Sequence, residues 1–267
     1  MRRIGLVVHP AKERALAAAE ELKSLGSSQG VEVVDAHPEI EADLVVALGG
    51  DGTTLRAAIL AHELDVPLIG VNLGTLGFLS SIDTTRLETV FERLTTGQYE
   101  IEERMLLSAA AFQGEQLITE VVALNEVVIE RGTLSRIISI RVRVGEEAVA
   151  TYSADGFIVS TPTGSTAYSL SAGGPVVEPG VDGLVLTSVS AHSPLWRSIV
   201  VAPGKIVTLE TPADRIAVSA DGRPVTDLEP GGRVIVARSP RPLKLATMEG
   251  PNFYGKLRSR FHVEPNQ

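Results

Sequence analysis

The first hundred residues alternate short, continuously apolar runs with segments of helical period. Residues 4–8, 31–34, 44–48 and 67–71 read as strands buried on both faces. Between them, residues 11–25 place Leu16, Ala19 and Leu22 on one face, and residues 55–64 form a second helical segment. Leu87, Val90, Phe91 and Leu94 recur at i, i+3, i+4 and i+7, which predicts a third helix. Asp83 is placed as its N-cap and Gly97 as its stop. Buried strands separated by helices imply a parallel sheet with helices on both faces.

Beyond Gly97 the period changes. Short β-rich pieces follow at 107–112, 121–129, 137–144, 148–152, 157–160, 184–189, 199–201, 206–209, 216–219, 234–236 and 243–246. One helix-like stretch near 165–172 interrupts them, and residues 253–261 read as a final helix. The pattern predicts an α/β domain with a parallel sheet over residues 1–100. A β-rich, sandwich-like domain follows over 101–248, and the tail 249–267 returns to the first domain.

The 267 residues are 44% apolar, enough for a substantial core. The net charge of −9, with Lys and Arg interspersed among the acids, argues against nucleic-acid binding. There is no cysteine, which excludes disulfides, thiol nucleophiles and cysteine-based metal sites. The five histidines are scattered with no H-x-x-x-H pair, so no metal site is expected. The apolar stretch in residues 1–8 is too short for a signal peptide, and no window approaches a ~20-residue membrane span. A cytoplasmic protein without a membrane partner is expected.

Candidate chemistry begins at Gly49-Gly50-Asp51-Gly52-Thr53, between an apolar strand and a helix. Glycines let the backbone approach a ligand, helix N-termini bind anions, and consecutive N–H groups can form an anion-binding nest. Asp51 would touch whatever the loop holds, so phosphate chemistry is the first hypothesis. The plain alternative is a tight turn capped by Asp51 or Thr53. Residues 72–79, N-L-G-T-L-G-F-L, follow the fourth strand but lack the first glycine of a dinucleotide fingerprint. Phe78 there could stack on a base or belong to the core.

Residues 250–257 nearly match a Walker A loop, but Leu257 cannot ligate magnesium. They are read as coincidence, with Lys256 on a solvated helix face. Residues 155–174 run from a strand into a hydroxyl-rich loop and two glycines. Its alternatives are a ligand loop with Tyr168 beside a base, or a helix capped by Ser165 with Tyr168 inside. Asn125 and Glu126 place polar groups in an apolar strand region, where they need partners if buried.

Four stretches together resemble the NAD kinase family: G-G-D-G-T at Gly49, N-x-G-x-x-G-F-L at Asn72, A-L-N-E at Ala123, and D-G-x-x-x-S-T-P-T-G-S-T-A-Y at Asp155. The resemblance spans nearly the whole chain. It implies transfer of a terminal phosphoryl group to the adenosine-ribose 2′-hydroxyl of NAD, giving NADP. By this resemblance Asp51 accepts the hydroxyl proton and Gly52 lies against the substrate. Gly49, Gly50 and Thr53 shape the donor-phosphate loop. Phe78 is the adenine-side aromatic, and Asn125 and Glu126 contact the adenosine portion. Thr166, Ala167, Tyr168, Ser169, Leu170 and Ser171 line the dinucleotide site. Asp155 reaches the nicotinamide half, often in a neighbouring subunit's site.

Arg136 occupies a binding position, and Arg56 is a phosphate contact or a solvated helix charge. Ser153 stands where members differ, which bears on whether NADH is accepted. Arg223 stands where many relatives carry Gln. ATP or polyphosphate is the implied donor, with Mg2+ or another divalent cation, in a homodimer or homotetramer. Two alternatives remain: a lipid or sugar kinase sharing the first loop, and a non-catalytic NAD or NADP sensor, which would be expected to lose Asp51.

Overall fold

The computed structural model describes residues 1–73, 77–79, 82–83, 87–132, 137–248 and 252–263. The apolar runs of the N-terminal region form β1 (Arg3–Val8), β2 (Glu32–Asp35), β3 (Leu44–Gly49) and β4 (Leu68–Asn72), all paired parallel in the order β2–β1–β3–β4. β5 (Ile82–Asp83) pairs with β4. α1 (Glu13–Gln29), α2 (Asp51–Leu64) and α3 (Leu87–Thr95) alternate with these strands, and β6 (Glu100–Arg104) joins the sheet at its far edge.

Ile4, Leu6, Leu44, Leu48 and Ile69 from the strands pack with Leu22, Phe91 and Leu94 from the helices. α1 buries Ala15, Ala18, Ala19 and Leu22. Leu16 is 48% exposed, contrary to the expected face, because it lies about 100° around the helix from Ala15. Asp83 is the last residue of β5, and α3 begins at Leu87. From β1 the chain passes first to β2 on one side and then to β3 on the other. The carboxyl ends of β1 and β3 therefore flank the topological switch point, where open α/β sheets bind ligands.

A second compact unit covers Arg104–Pro242. One antiparallel sheet contains β7 (Leu107–Gln113), β8 (Gln116–Ala123), β10 (Ile138–Val144), β11 (Glu147–Ala154), β15 (Val207–Thr211) and β18 (Gly232–Arg238). The other contains β9 (Glu126–Arg131), β12 (Gly156–Ser160), β13 (Leu184–Val189), β14 (Ile199–Val201), β16 (Ile216–Ala220) and β17 (Arg223–Leu228). Inward residues of both, such as Ile140 and Leu209 against Phe157 and Val159, share one core, as a sandwich requires. The rings of Tyr152 and Phe157 meet there at 5.0 Å.

The single strand expected at 121–129 is two. β8 and β9 lie in different sheets, and the chain crosses between them at Leu124-Asn125. The expected helix at 165–172 is a 3-10 turn, Thr163–Thr166, followed by the short α4 (Tyr168–Ser171).

The chain then returns to the first unit, which comprises Met1–Glu103 and Leu243–Gln267. β19 (Leu243–Thr247) pairs parallel with β4, so it belongs to the first sheet and not to the β-rich domain expected over 101–248. α5 (Phe253–Phe261) is capped by Asn252, whose Oδ1 accepts from Gly255 N–H at 3.1 Å. Lys256 is half-buried, not solvated as expected, because its Nζ donates to the Phe78 carbonyl at 3.0 Å. Among the described residues no helix is long and apolar enough to cross a membrane.

Candidate active site

In the first unit, β3 ends at Gly49 and α2 begins at Asp51. Gly50 is the N-cap and supplies no side chain, so neither Asp51 nor Thr53 caps the helix. The Asp51 carboxylate turns instead to the neighbouring loop, with Oδ2 accepting from Phe78 N–H at 3.1 Å and Oδ1 from Leu79 N–H at 3.2 Å. Gly77 passes so close that a Cβ there would collide with the carboxylate. Phe78 is thereby fixed on its backbone, and its half-buried ring lies 6.2 Å from that of Phe253.

The three glycines of the loop serve different ends. A Cβ on Gly49 would strike the Thr53 side chain, so Gly49 is a packing residue. At Gly52 an added Cβ would meet nothing within 4 Å, and at Gly50 only Lys12 Nζ, at 3.9 Å. None of the three has a positive φ, which replaces the expected nest with the N–H groups of a helical first turn. Neither backbone conformation nor packing requires glycine at 50 and 52. Their bare backbone leaves the positive end of α2 open to an approaching group.

A cleft of about 360 Å³ opens beside this turn, lined by His9, Pro10, Lys12, Gly50, Gly52, Thr53 and Arg56. It lies at the switch point between β1 and β3. Thr53 Oγ1 is buried against Gly49, with no hydrogen-bond partner among the described residues. His9 and Lys12 were not singled out from the sequence. They join the site because β1 lies next to β3, a relation that no local motif carries.

In the second unit the chain bends sharply where β8 passes into β9. The Asp221 carboxylate accepts from the backbone N–H groups of Leu124 at 2.8 Å, Asn125 at 2.7 Å and Glu126 at 3.2 Å. Asn125 and Glu126 are both buried, and Glu126 Oε2 has no partner among the described residues. Burial, followed by the nearby Asp221 charge, pushes the Glu126 carboxyl up to about 8, with the Tyr168 N–H opposing. Burial also raises Asp221, while its three N–H donors and the Arg223 charge oppose the shift. With those donors on Asp221 and none on Glu126 Oε2, the proton of the pair rests on Glu126.

Glu126 lines a cleft of about 650 Å³ with Val128, Glu130, Tyr168, Ser219 and residues of β17. The Tyr168 hydroxyl donates to Glu130 Oε1 at 2.7 Å, and burial pushes its pKa up to about 12. Glu130 and Asp221 are the residues that sequence reasoning missed here.

The rest of the hydroxyl-rich loop divides. Ser165 is no helix cap: its hydroxyl donates to the Pro162 carbonyl at 2.7 Å and accepts from Val177 N–H at 2.9 Å. Ser169 turns inward, 3.0 Å from Thr187 Oγ1, and so is held in the interior and not in the cleft as expected. Thr166, Ala167 and Leu170 are half-buried and Ser171 is exposed. Asp155 pairs with Arg131 at 3.0 Å. Ser153 presents an exposed side chain from β11, while its carbonyl accepts from His192 N–H at 2.7 Å. Arg136 lies outside the described residues.

Residues 13–99 match the family described as ATP-NAD kinase N-terminal domain, and residues 124–248 match ATP-NAD kinase C-terminal domain. The NAD kinase of Heliobacterium modesticaldum is 42% identical over 78% of this chain and 80% of its own length. This chain belongs to the NAD kinase family. A second NAD kinase, from Caldanaerobacter subterraneus subsp. tengcongensis, is 46% identical over 64% of the chain, and the match spans 60% of that relative's length.

Solved NAD kinase structures share the fold. Yeast NADH kinase complexed with NADH superposes with a TM-score of 0.91 at 20% identity, covering 100% of this chain and 89% of that one. An NAD kinase from Archaeoglobus fulgidus in complex with ATP gives 0.77 at 26% identity, covering 97% and 99%. The matched NAD kinase segments hold the Asp51 turn in one unit and Glu126 with Tyr168 in the other. Neither a lipid or sugar kinase nor a sensor protein is favoured by these similarities.

Proposed function

We propose that the protein phosphorylates the adenosine-ribose 2′-hydroxyl of NAD to give NADP, using ATP or polyphosphate. The observation that carries this reading is the Asp51 carboxylate, tied by two N–H groups at the mouth of α2 beside two glycines with open approaches. In the reaction the 2′-oxygen forms a bond to the terminal phosphorus as the bond to the bridging oxygen breaks. The hydroxyl proton passes to Asp51, and the shortened donor leaves with the electron pair. Phosphoryl transfer depends mainly on alignment and charge stabilisation, so a carboxylate held in place serves despite its ordinary acidity.

The reading assigns donor phosphates to Gly50, Gly52, Thr53 and Arg56 in the first unit. Gly49 supports that turn through Thr53, and Phe78 holds Asp51 and offers its ring to adenine. Asn125, Glu126, Thr166, Ala167 and Tyr168 in the second unit take the dinucleotide, with Leu170 and Ser171 beside them. Asp155 and Ser153 are assigned to its nicotinamide half, and Arg136 to a further contact. Among the described residues no cluster of three His, Asp or Glu side chains would hold a metal by itself. The reading takes a divalent ion as arriving with the donor, with Asp51 the carboxylate that would hold it, where it would neutralise phosphate charge. The same reading takes the protein as a cytoplasmic homodimer or homotetramer.

Incubating the protein with NAD, ATP and Mg2+ should yield NADP. No product with ATP or polyphosphate would end the kinase reading. Full turnover by Asp51→Asn would remove Asp51 from its assigned role.

A further inference from the structure

Three basic side chains converge on one cleft in a chain of net charge −9. His9, Lys12 and Arg56 line it, and among the described residues of the lining none is acidic. Among the described residues, Lys12 Nζ and the Arg56 guanidinium have neither an ion pair nor a hydrogen bond. The His9 Nδ1 accepts from Ala11 N–H at 3.2 Å, which leaves its Nε2–H to donate elsewhere.

Lys12 stands where a lysine is unfavourable. It is the N-cap of α1, at φ −105 and ψ 110, with no side-chain cap bond. N-caps favour Ser, Thr, Asp and Asn, and the positive end of a helix dipole repels a cation. Gly50, the N-cap of α2, lines the same cleft, so the positive ends of two helices meet there. Thr53 in the first turn of α2 lines it too, with its hydroxyl turned inward toward Gly49. An arrangement that gathers this much positive potential, at a cost to α1, calls for a polyanion.

We propose that Lys12, with His9, clamps the polyphosphate chain of the phosphoryl donor behind the transferred group, an assignment that rests on the kinase reading above. Among the described residues the lining contains no Phe, Tyr, Trp or large apolar side chain to receive a base. The ligand is therefore recognised as a linear polyphosphate, whether free or carried by a nucleoside. Charge-assisted bonds to phosphate hold it, and the base contributes little.

The test uses the whole protein, with direct binding of inorganic tripolyphosphate measured calorimetrically beside steady-state kinetics. Lys12→Ser should weaken tripolyphosphate binding and raise the ATP KM roughly tenfold or more, the effect of losing one charged hydrogen bond. The NAD KM should stay unchanged, and Lys12→Arg should remain within a few-fold of wild type. The Ser variant also gains a favourable cap, so its thermal midpoint should rise or hold while donor binding falls. A purely structural lysine would not move these readings in opposite directions.

Exchanging ATP for GTP or polyphosphate should change the donor KM by only a few-fold. A large preference for one base would overturn the base-independent part of the proposal. Unaltered tripolyphosphate affinity in Lys12→Ser would overturn the clamp. If tripolyphosphate binds through Lys12 but the wild type makes no NADP, the polyanion site stands and the kinase reading falls.

Discussion

The backbone N–H of Phe78 lies 3.1 Å from Oδ2 of Asp51, and that of Leu79 lies 3.2 Å from Oδ1, so both oxygens of one carboxylate are tied to a single neighbouring loop. The loop can come this close because residue 77 is glycine, whose missing Cβ leaves room for the carboxylate. Gly77→Ala should therefore push Asp51 aside without touching any ligand directly. NADP formation should fall roughly tenfold or more, since a misplacement of about 1 Å costs that much in an aligned transfer. Unchanged kcat in a folded Gly77→Ala protein would show that Asp51 need not be held by this loop.

Gly52 has the opposite character, because an added Cβ there meets nothing in the protein. It sits in the first turn of α2, where alanine is a better helix former by up to about 1 kcal/mol. Gly52→Ala should keep or raise the thermal midpoint and yet lower kcat/KM, because the methyl group occupies space kept for substrate. A variant that is both more stable and fully active would mean that the open approach is not used.

The parts of this molecule legible in the sequence are those with short-range signals. The turn at Gly49 to Thr53 announces itself as glycines around an acid after an apolar run, and α3 by its regular apolar spacing. β6 and β17 escaped notice because E-I-E-E-R and R-P-V-T-D-L are polar sheet-edge sequences without a clear alternation. Asp221 is 95 to 97 residues away from the amides it binds, and no pattern in the chain encodes that distance. His9 and Lys12 became part of a site only through strand order.

Asp221 acts through Asn125 and Glu126 by holding their N–H groups at the bend between two sheets. Asp221→Asn keeps the shape but puts an amide NH2 where one acceptor oxygen stood. Losing a charge-assisted acceptor from a buried site should cost about 1–3 kcal/mol of stability. The KM for NAD should rise while that for ATP stays near its original value. Equal changes in both constants would indicate general loosening and would remove Asp221 as a positioning residue for the dinucleotide contacts.

Glu126 offers a pH signature. Its carboxyl titrates near 8 in the folded protein, against an ordinary value of 4.5, because it is buried beside Asp221. The unfolded chain thus releases this proton first as pH rises. The folded state binds more protons over that interval, and stability must fall with increasing pH between about 4.5 and 8. Below the interval both states are protonated, and above it both are ionised, so the slope from this group vanishes outside it.

Glu126→Gln has no proton to lose, whereas Asp221 titrates in both proteins and largely cancels in the comparison. Denaturant midpoints at pH 5, 6.5 and 8 should show the Gln variant gaining on wild type as pH rises, by on the order of a few kcal/mol at the upper end. Parallel stability curves for the two proteins would mean that Glu126 is already ionised in the folded state, with its buried Oε2 satisfied by a partner such as water.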